Sequence, residues 1–143
     1  MTEQVYWEDV QVEQEIPSLI KRPTTQQLVK WAGAAGDYFQ AHYDKEFAIK
    51  AGFDGVIVHG WLNTSFLGQL LTDWSGEQGR VKKITVQYRG TTSPGENIIC
   101  KGRVTNKYEK DGKYWVELEV WSENEQGKVT TPGTALVQLP SKN

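Results

Sequence analysis

Cysteine, charge of one sign and long apolar runs are all scarce in this sequence. The lone Cys100 excludes an internal disulfide and fits a reducing compartment. Its expected role is that of a small buried hydrophobe in a strand. The net charge is -2 with 24% charged residues, and the lysines and arginines are scattered. Nothing therefore indicates a nucleic-acid partner or binding to a membrane surface.

The longest apolar stretch lies near residues 61–71. It is too polar and too short to span a bilayer, because it contains Asn63, Thr64, Ser65 and Gln69. No basic and then apolar leader opens the chain, so we expect a cytoplasmic protein. A chain of 143 residues suits one hydrophobic core but not two, and we expect a single domain over residues 1–143.

Helical signals occupy the first half of the chain. Thr24, with Gln27 as its capping-box partner, predicts the start of a helix that Gly36 ends. A short helix is predicted over residues 45–51. Apolar residues three and four apart over residues 60–74 predict a longer helix that is apolar around much of its circumference, and such a helix is normally buried.

Alternation with a period of two characterises the second half of the chain. A hairpin turn is predicted at Asp111-Gly112 and a weaker one near residue 126. One further strand near residues 6–15 is expected to complete the sheet. A buried helix followed by hairpin-linked strands predicts an α+β fold in which an antiparallel sheet wraps around a long central helix. The four predicted strands cover residues 81–88, 97–108, 113–121 and 128–139.

Residue types suited to acid–base chemistry lie between the first two predicted helices. Asp37 and His42 fall on an irregular segment, where functional side chains often lie. A carboxylate and an imidazole aimed at one water molecule form a general acid and base pair. Gly60, at the start of the buried helix, leaves backbone N–H groups free to bind an oxyanion. Taken singly, each of these residues also suits a structural role in a turn or cap.

Their combination resembles a known family. The pattern is similar to that of the MaoC-like hydratases and dehydratases of the hotdog superfamily, and the order of helices and strands extends the resemblance over nearly the whole chain. The residues that carry it are Trp31-Ala32-Gly33-Ala34-Ala35-Gly36-Asp37, His42, Asp44, Ala48, Gly52 and Ile57-Val58-His59-Gly60.

The resemblance implies a hotdog fold and an (R)-specific enoyl-CoA hydratase or 3-hydroxyacyl-thioester dehydratase. Asp37 and His42 match the catalytic pair, which holds the water that adds to the β-carbon. Gly60 matches the residue whose backbone N–H polarises the thioester carbonyl. His59 is placed in the same binding region, with a structural role in the turn as an equal alternative. The implied substrate is an acyl-CoA or acyl-carrier-protein thioester, and no cofactor is implied.

The loop between Asp37 and His42 departs from the family pattern. The family usually has Asn-Pro there, and this chain has Tyr38-Phe39-Gln40-Ala41. The altered loop is similar to that of MaoC-like subunits that handle bulky acyl-CoAs within two-subunit complexes. We expect Tyr38, Phe39 and Trp61 to line an acyl pocket. The alternative is that these aromatic residues belong to the core or to a dimer interface.

Two other functions are compatible with parts of the sequence. A weakly active or non-catalytic acyl-binding subunit remains an alternative. A hotdog thioesterase is less favoured, because such enzymes usually carry their carboxylate on or beside the central helix, where this chain has Asn63, Thr64 and Gln69. No metal is expected, since Asp37, His42, Asp44 and His59 lack the spacing of a ligand set. Uncovered sheet edges predict a homodimer or a hetero-oligomer with another hotdog subunit.

Overall fold

The structure is a computed structural model that describes residues 3–143. Its described residues form three helices and five strands. The helices are α1 (Thr25–Ala35), α2 (Lys45–Lys50) and α3 (Gly60–Ser75); the strands are β1 (Glu15–Lys21), β2 (Arg80–Val86), β3 (Ile98–Lys110), β4 (Lys113–Glu123) and β5 (Val129–Leu139).

The strands form one antiparallel sheet with the order β1-β3-β4-β5-β2. The β3–β4 hairpin turns at Asp111 and Gly112, whose φ values of 54° and 71° suit the two-residue turn that Asp-Gly predicts. The first and second strands of the chain are the two edges of the sheet. The expected α+β class is confirmed.

Helix α3 packs across one face of the sheet and contacts all five strands. Its Leu67, Leu70 and Leu71 are fully or almost fully buried. They meet inward-facing apolar residues of the central strands, among them Val104, Val116, Leu118, Val120 and Val137. The helix that the sequence predicts as buried is therefore the centre of the core. No helix among residues 3–143 is long and apolar enough to cross a lipid bilayer.

The ends of α1 form as predicted. The Thr24 hydroxyl oxygen accepts a hydrogen bond from the Gln27 backbone N–H at 3.1 Å. Gly36 ends the helix with a φ of 72°, and its N–H donates to the Ala32 carbonyl. A left-handed residue at this position is accessible to glycine at little cost. It turns the chain directly into the segment that carries Asp37.

The prediction of a strand over residues 6–15 is wrong. Trp7–Asp9 is a 3-10 turn, and the edge strand β1 begins only at Glu15. Glu13 has a φ of 73°, which interrupts extended backbone before that point. The Trp7 N–H donates a hydrogen bond to the Pro140 carbonyl and not to a neighbouring strand. Pro17 lies within β1, where an edge position tolerates its missing N–H.

Candidate active site

The segment between α1 and α2 positions Asp37 and His42. An Asp37 carboxylate oxygen accepts from the Phe39 N–H at 3.4 Å, and residues 40–42 form a 3-10 turn. At the far end, the Asp44 carboxylate caps α2 by accepting from the Phe47 N–H at 3.0 Å. Asp44 therefore has a structural role. The loop is held at both ends even though it lacks the Asn-Pro of the family pattern.

The ring of His42 is almost fully buried and has a fixed orientation. Its Nδ1 lies 2.8 Å from the Ile57 carbonyl oxygen. A carbonyl can only accept, so Nδ1 carries the proton, and Nε2 of the neutral ring presents a lone pair. Nε2 lies 3.8 Å from an Asp37 carboxylate oxygen. This separation is too long for a direct hydrogen bond and leaves both atoms free to bond one shared water molecule.

The Asp37 carboxylate is the solvent-exposed member of this pair. Its side chain is 36% exposed, against 8% for that of His42. A substrate approaching from outside would thus meet the carboxylate first, with the imidazole behind it.

Gly60 opens α3 with an uncapped amide. His59 makes no side-chain cap, and the Asn63 N–H already donates to the His59 carbonyl. The N–H groups before Asn63 have no acceptor within the helix, as at any helix start. The positive end of the helix dipole adds to their attraction for negative charge. This end of α3 suits an oxyanion.

The ring of Tyr88 covers Gly60. A Cβ on Gly60 would lie 3.0 Å from two Tyr88 ring carbons. The Tyr88 hydroxyl is 2.8 Å from the Thr64 hydroxyl, which itself donates to the Gly60 carbonyl. Tyr88 is therefore tied to the first turn of α3, and a Cβ at position 60 would require its ring to shift.

His59 lies inside the protein, behind His42. It is fully buried, and the two imidazole rings stack with centroids 3.8 Å apart and an interplanar angle of 22°. Burial lowers the pKa of His59, the neighbouring His42 lowers it further, and Asp37 opposes the shift. His59 is thus held neutral at neutral pH.

Asp37, His42 and His59 also bring ligand-type atoms within 4.8 Å of one another. The donor set does not fit a metal ion. The rings of His42 and His59 are stacked 3.8 Å apart with an interplanar angle of 22°, so their in-plane lone pairs run nearly side by side instead of converging. A zinc site needs its ligand atoms to converge at about 2.0–2.1 Å from the ion.

The three aromatic residues expected to line a pocket are all exposed. The exposed fractions are 62% for Tyr38, 50% for Phe39 and 67% for Trp61, so none of them belongs to the core. Phe39 packs edge-on against His42, with centroids 5.6 Å apart. Tyr38 lines a surface pocket with Val29, Ala32 and Tyr43. Trp61 follows Gly60 in the first turn of α3.

The structure thus brings Asp37, His42 and His59 together, with Gly60 next to His59 in the chain. Two contributors were missed by the sequence analysis: the Ile57 carbonyl and the Tyr88 ring. Neither carries a sequence signal, because a backbone carbonyl is present at every residue and Tyr88 reaches α3 only through the folding of the chain after β2.

The sequence model of the MaoC-like domain matches residues 7–126. The chain belongs to this family. A solved (R)-hydratase from A. caviae, involved in PHA biosynthesis, is 25% identical; the match covers 93% of this chain and 99% of that one, with a TM-score of 0.82. The expected hotdog fold of this MaoC-like domain is confirmed.

Two other similar proteins show how such domains occur in larger systems. The peroxisomal hydratase-dehydrogenase-epimerase of Neurospora crassa is 27% identical over 118 residues, which is 82% of this chain and 12% of that protein. The MaoC-like domain therefore spans about an eighth of that relative's length. The ChsH1–ChsH2 complex from Mycobacterium tuberculosis contains a chain of the same fold, with a TM-score of 0.77 and 22% identity over 90% of this chain and 97% of that one.

Proposed function

We propose that this MaoC-like domain is a hydro-lyase that adds water to an enoyl thioester, or removes it from an (R)-3-hydroxyacyl thioester. The observation that carries the proposal is the Asp37–His42 pair, whose facing atoms are 3.8 Å apart on a loop open to solvent. The family membership and the similarity to an (R)-hydratase support the same chemistry.

In the proposed addition, one water molecule binds between the Asp37 carboxylate and His42 Nε2. One of these groups takes a proton from the water as its oxygen bonds to the β-carbon, and the other helps to deliver a proton to the α-carbon. The thioester carbonyl gains negative charge between the two events. Dehydration follows the same path in reverse.

Gly60 is the proposed partner of that negative charge. Its backbone N–H would donate to the thioester oxygen, helped by the dipole of α3. A preorganised donor of this kind stabilises an oxyanion better than water does, because it need not reorient during the reaction. The absence of a side chain on Gly60 makes room for the Tyr88 ring, which borders the proposed oxyanion position.

The proposed substrate is a thioester of coenzyme A or of an acyl-carrier protein, with a bulky or aromatic acyl group. The exposed rings of Tyr38, Phe39 and Trp61 support this choice, since apolar surface beside a reactive pair suits an apolar acyl group. The same exposed rings would equally suit a contact with another subunit. A homodimer or a complex with a second hotdog subunit is therefore part of the proposal.

A thioesterase finds less support. Asp73 is the only carboxylate on α3, and it lies thirteen residues beyond Gly60. At 1.5 Å per residue this places it about 20 Å from the proposed oxyanion site. No carboxylate of α3 therefore stands near the thioester in the proposed binding mode.

The test is to incubate the purified protein with crotonyl-CoA and with an aromatic or long-chain enoyl-CoA, and to follow the loss of enoyl absorbance. We expect Asp37→Asn and His42→Ala to lower kcat/KM about 10²–10⁴-fold, the usual contribution of a general acid or base. Asp54→Asn is the matched control, because Asp54 is exposed in the loop after α2 and its variant should keep full activity.

Two outcomes would contradict the proposal. One is a folded protein with no activity on any enoyl thioester, which would favour the acyl-binding subunit. The other is activity that survives in both Asp37→Asn and His42→Ala.

A further inference from the structure

His59 is a buried polar residue without polar partners. It is fully buried, and neither of its ring nitrogens has a hydrogen-bond partner among the described residues. Buried polar atoms are paired in most proteins, so an unpaired one calls for an explanation. A position that required only volume would be filled more favourably by an apolar side chain.

Burial also removes His59 from direct contact with a substrate. A ligand at Asp37 reaches the exposed side of the pair, whereas His59 lies on the inner face of His42. The contact that His59 does make is the stack, at 3.8 Å and 22°. A ring nitrogen of His59 also lies within 4.8 Å of an Asp37 carboxylate oxygen, but no hydrogen bond joins them. The stack on His42 is therefore the direct contact through which His59 can act on the pair.

The ring of His42 is held on three sides. The Ile57 carbonyl holds Nδ1 at 2.8 Å, the edge of Phe39 lies against it, and His59 supports one face. Rotation of His42 about its Cβ–Cγ bond would break both the bond to Ile57 and the stack. Removing the supporting face would leave the Ile57 bond as the main restraint on this rotation.

We propose that His59 is a positioning residue: its flat ring holds His42 in the one orientation that keeps Nδ1 on the Ile57 carbonyl and Nε2 facing Asp37. The inference rests on the proposed function only for its kinetic consequence. The orientation of His42 itself is measurable in the absence of any substrate. The lowered pKa of His59 agrees with this role, because a neutral ring stacks on His42 without repelling it when His42 gains a proton.

The experiment uses imidazole ¹⁵N NMR of the intact protein. The chain contains two histidines, so every imidazole signal of a His59 variant comes from His42. In the wild type, His42 should show a single tautomer protonated at Nδ1. In His59→Leu, we expect signals averaged between the two tautomers. In His59→Phe, which keeps a flat ring, we expect the wild-type tautomer to return.

The kinetic arm uses the same variants with the enoyl-CoA that gives the highest activity. We expect His59→Leu to lower kcat about 10–100-fold, the scale of a small misplacement of a reacting group, with KM within twofold. His59→Phe should recover most of this loss. Thr131→Val is the control: its hydroxyl is also buried and unpaired, but it lies on β5, and its variant should keep both the His42 spectrum and kcat.

The proposal is overturned if the His42 signals are the same in His59→Leu as in the wild type, or if His59→Phe behaves like His59→Leu. A rise in KM at constant kcat would show instead that His59 contacts the substrate. Should His59→Leu fail to fold, His59→Asn replaces it, since that side chain is small, polar and unable to stack. An inactive wild type would count against the proposed function alone, because the NMR arm needs no turnover.

Discussion

The two ends of α3 differ in whether a side chain caps their unpaired backbone groups. At the C-terminal end, the Gln4 side-chain amide donates to the Ser75 carbonyl at 2.7 Å, and its oxygen accepts from the Gln78 N–H at 2.9 Å. At the N-terminal end, His59 provides no cap and Gly60 leaves its amide free. The C-terminal end of the helix is capped by a side chain, whereas the first amides of the helix have no side-chain cap from His59.

Both halves of α3 are packed on the core, since Leu62, Phe66 and Leu67 are buried in the N-terminal half, but the two halves differ in what else they carry. Towards the C-terminal end, Leu70, Leu71 and Trp74 are buried against the sheet. Towards the N-terminal end, Trp61 is exposed and Asn63 is buried with an unpaired oxygen. Both halves of α3 therefore contribute to stability, and we infer that the N-terminal half, with its exposed Trp61 and unpaired Asn63 oxygen, gives up some of it for chemistry.

The largest effect is expected from a substitution near the C-terminal end of α3. Leu71 is fully buried, so Leu71→Ala should lower the free energy of unfolding by about 2–5 kcal/mol, through lost burial and a residual cavity. Urea denaturation measures this change. The activity per folded molecule should remain within twofold, and a large loss of activity in the folded fraction would refute the division between the two halves.

The second largest effect is expected at the N-terminal end of α3. Gly60→Ala places a Cβ 3.0 Å from the Tyr88 ring, so the ring must move away from the amide. Because the Ala variant keeps the N–H, we expect kcat/KM to fall at most about 10²-fold, the scale of a small misplacement of a reacting group. Gly68→Ala is the matched control within the same helix, because its Cβ would meet Ile84 at an ordinary 3.8 Å. Comparable losses in both variants would point to the helix as a whole and not to the amide.

The smallest effect is a pH dependence of stability that originates at His59. The pKa of His59 is lowered from 6.5 in the folded state, so the unfolded chain binds more protons below that pH. Stability should therefore fall as the pH drops below about 6.5, with a slope of at most about 1.4 kcal/mol per pH unit from this group. Charged or titratable neighbours of His59 are Asp37 and His42.

The measurement is urea denaturation of the wild type and of His59→Leu between pH 5 and pH 7. The wild type should lose more stability than the variant as the pH falls, and the difference between the two isolates His59. The pKa values of Glu8 and Glu123 are lowered from 4.5, so their contributions change below this window. Parallel curves for the two proteins would show that His59 titrates normally.

Much of the fold could be predicted because its signals are local. Thr24 and Gly36 bound α1 by their own backbone and side-chain chemistry, and Asp111-Gly112 determines its hairpin in the same way. The N-terminal strand could not be placed, because the alternation near residues 6–15 competes with tertiary bonds. Trp7 bonds the carbonyl of Pro140, far along the chain, and no local pattern reports such a contact.

The features of the candidate site also differ in whether the sequence alone could predict them. Asp37, His42 and Gly60 lie close together in sequence, and their residue types suggest their chemistry. The stack of His59 on His42 and the cover of Tyr88 over Gly60 depend on how separate segments meet, which spacing alone does not reveal. Residue spacing does not distinguish a substrate contact by His59 from a role in the turn, and the full burial of His59 depends on the folded structure.

The double link between residues 41–42 and the segment before α3 has a consequence for the order of the candidate site. The Ile57 N–H donates to the Ala41 carbonyl at 3.0 Å, while the Ile57 carbonyl accepts from His42. These two bonds close residues 43–56, including α2, into a loop whose ends are fixed to each other. Opening of this loop would therefore break the bond that orients His42, so hydrogen exchange at the Ile57 amide reports on the order of the candidate site.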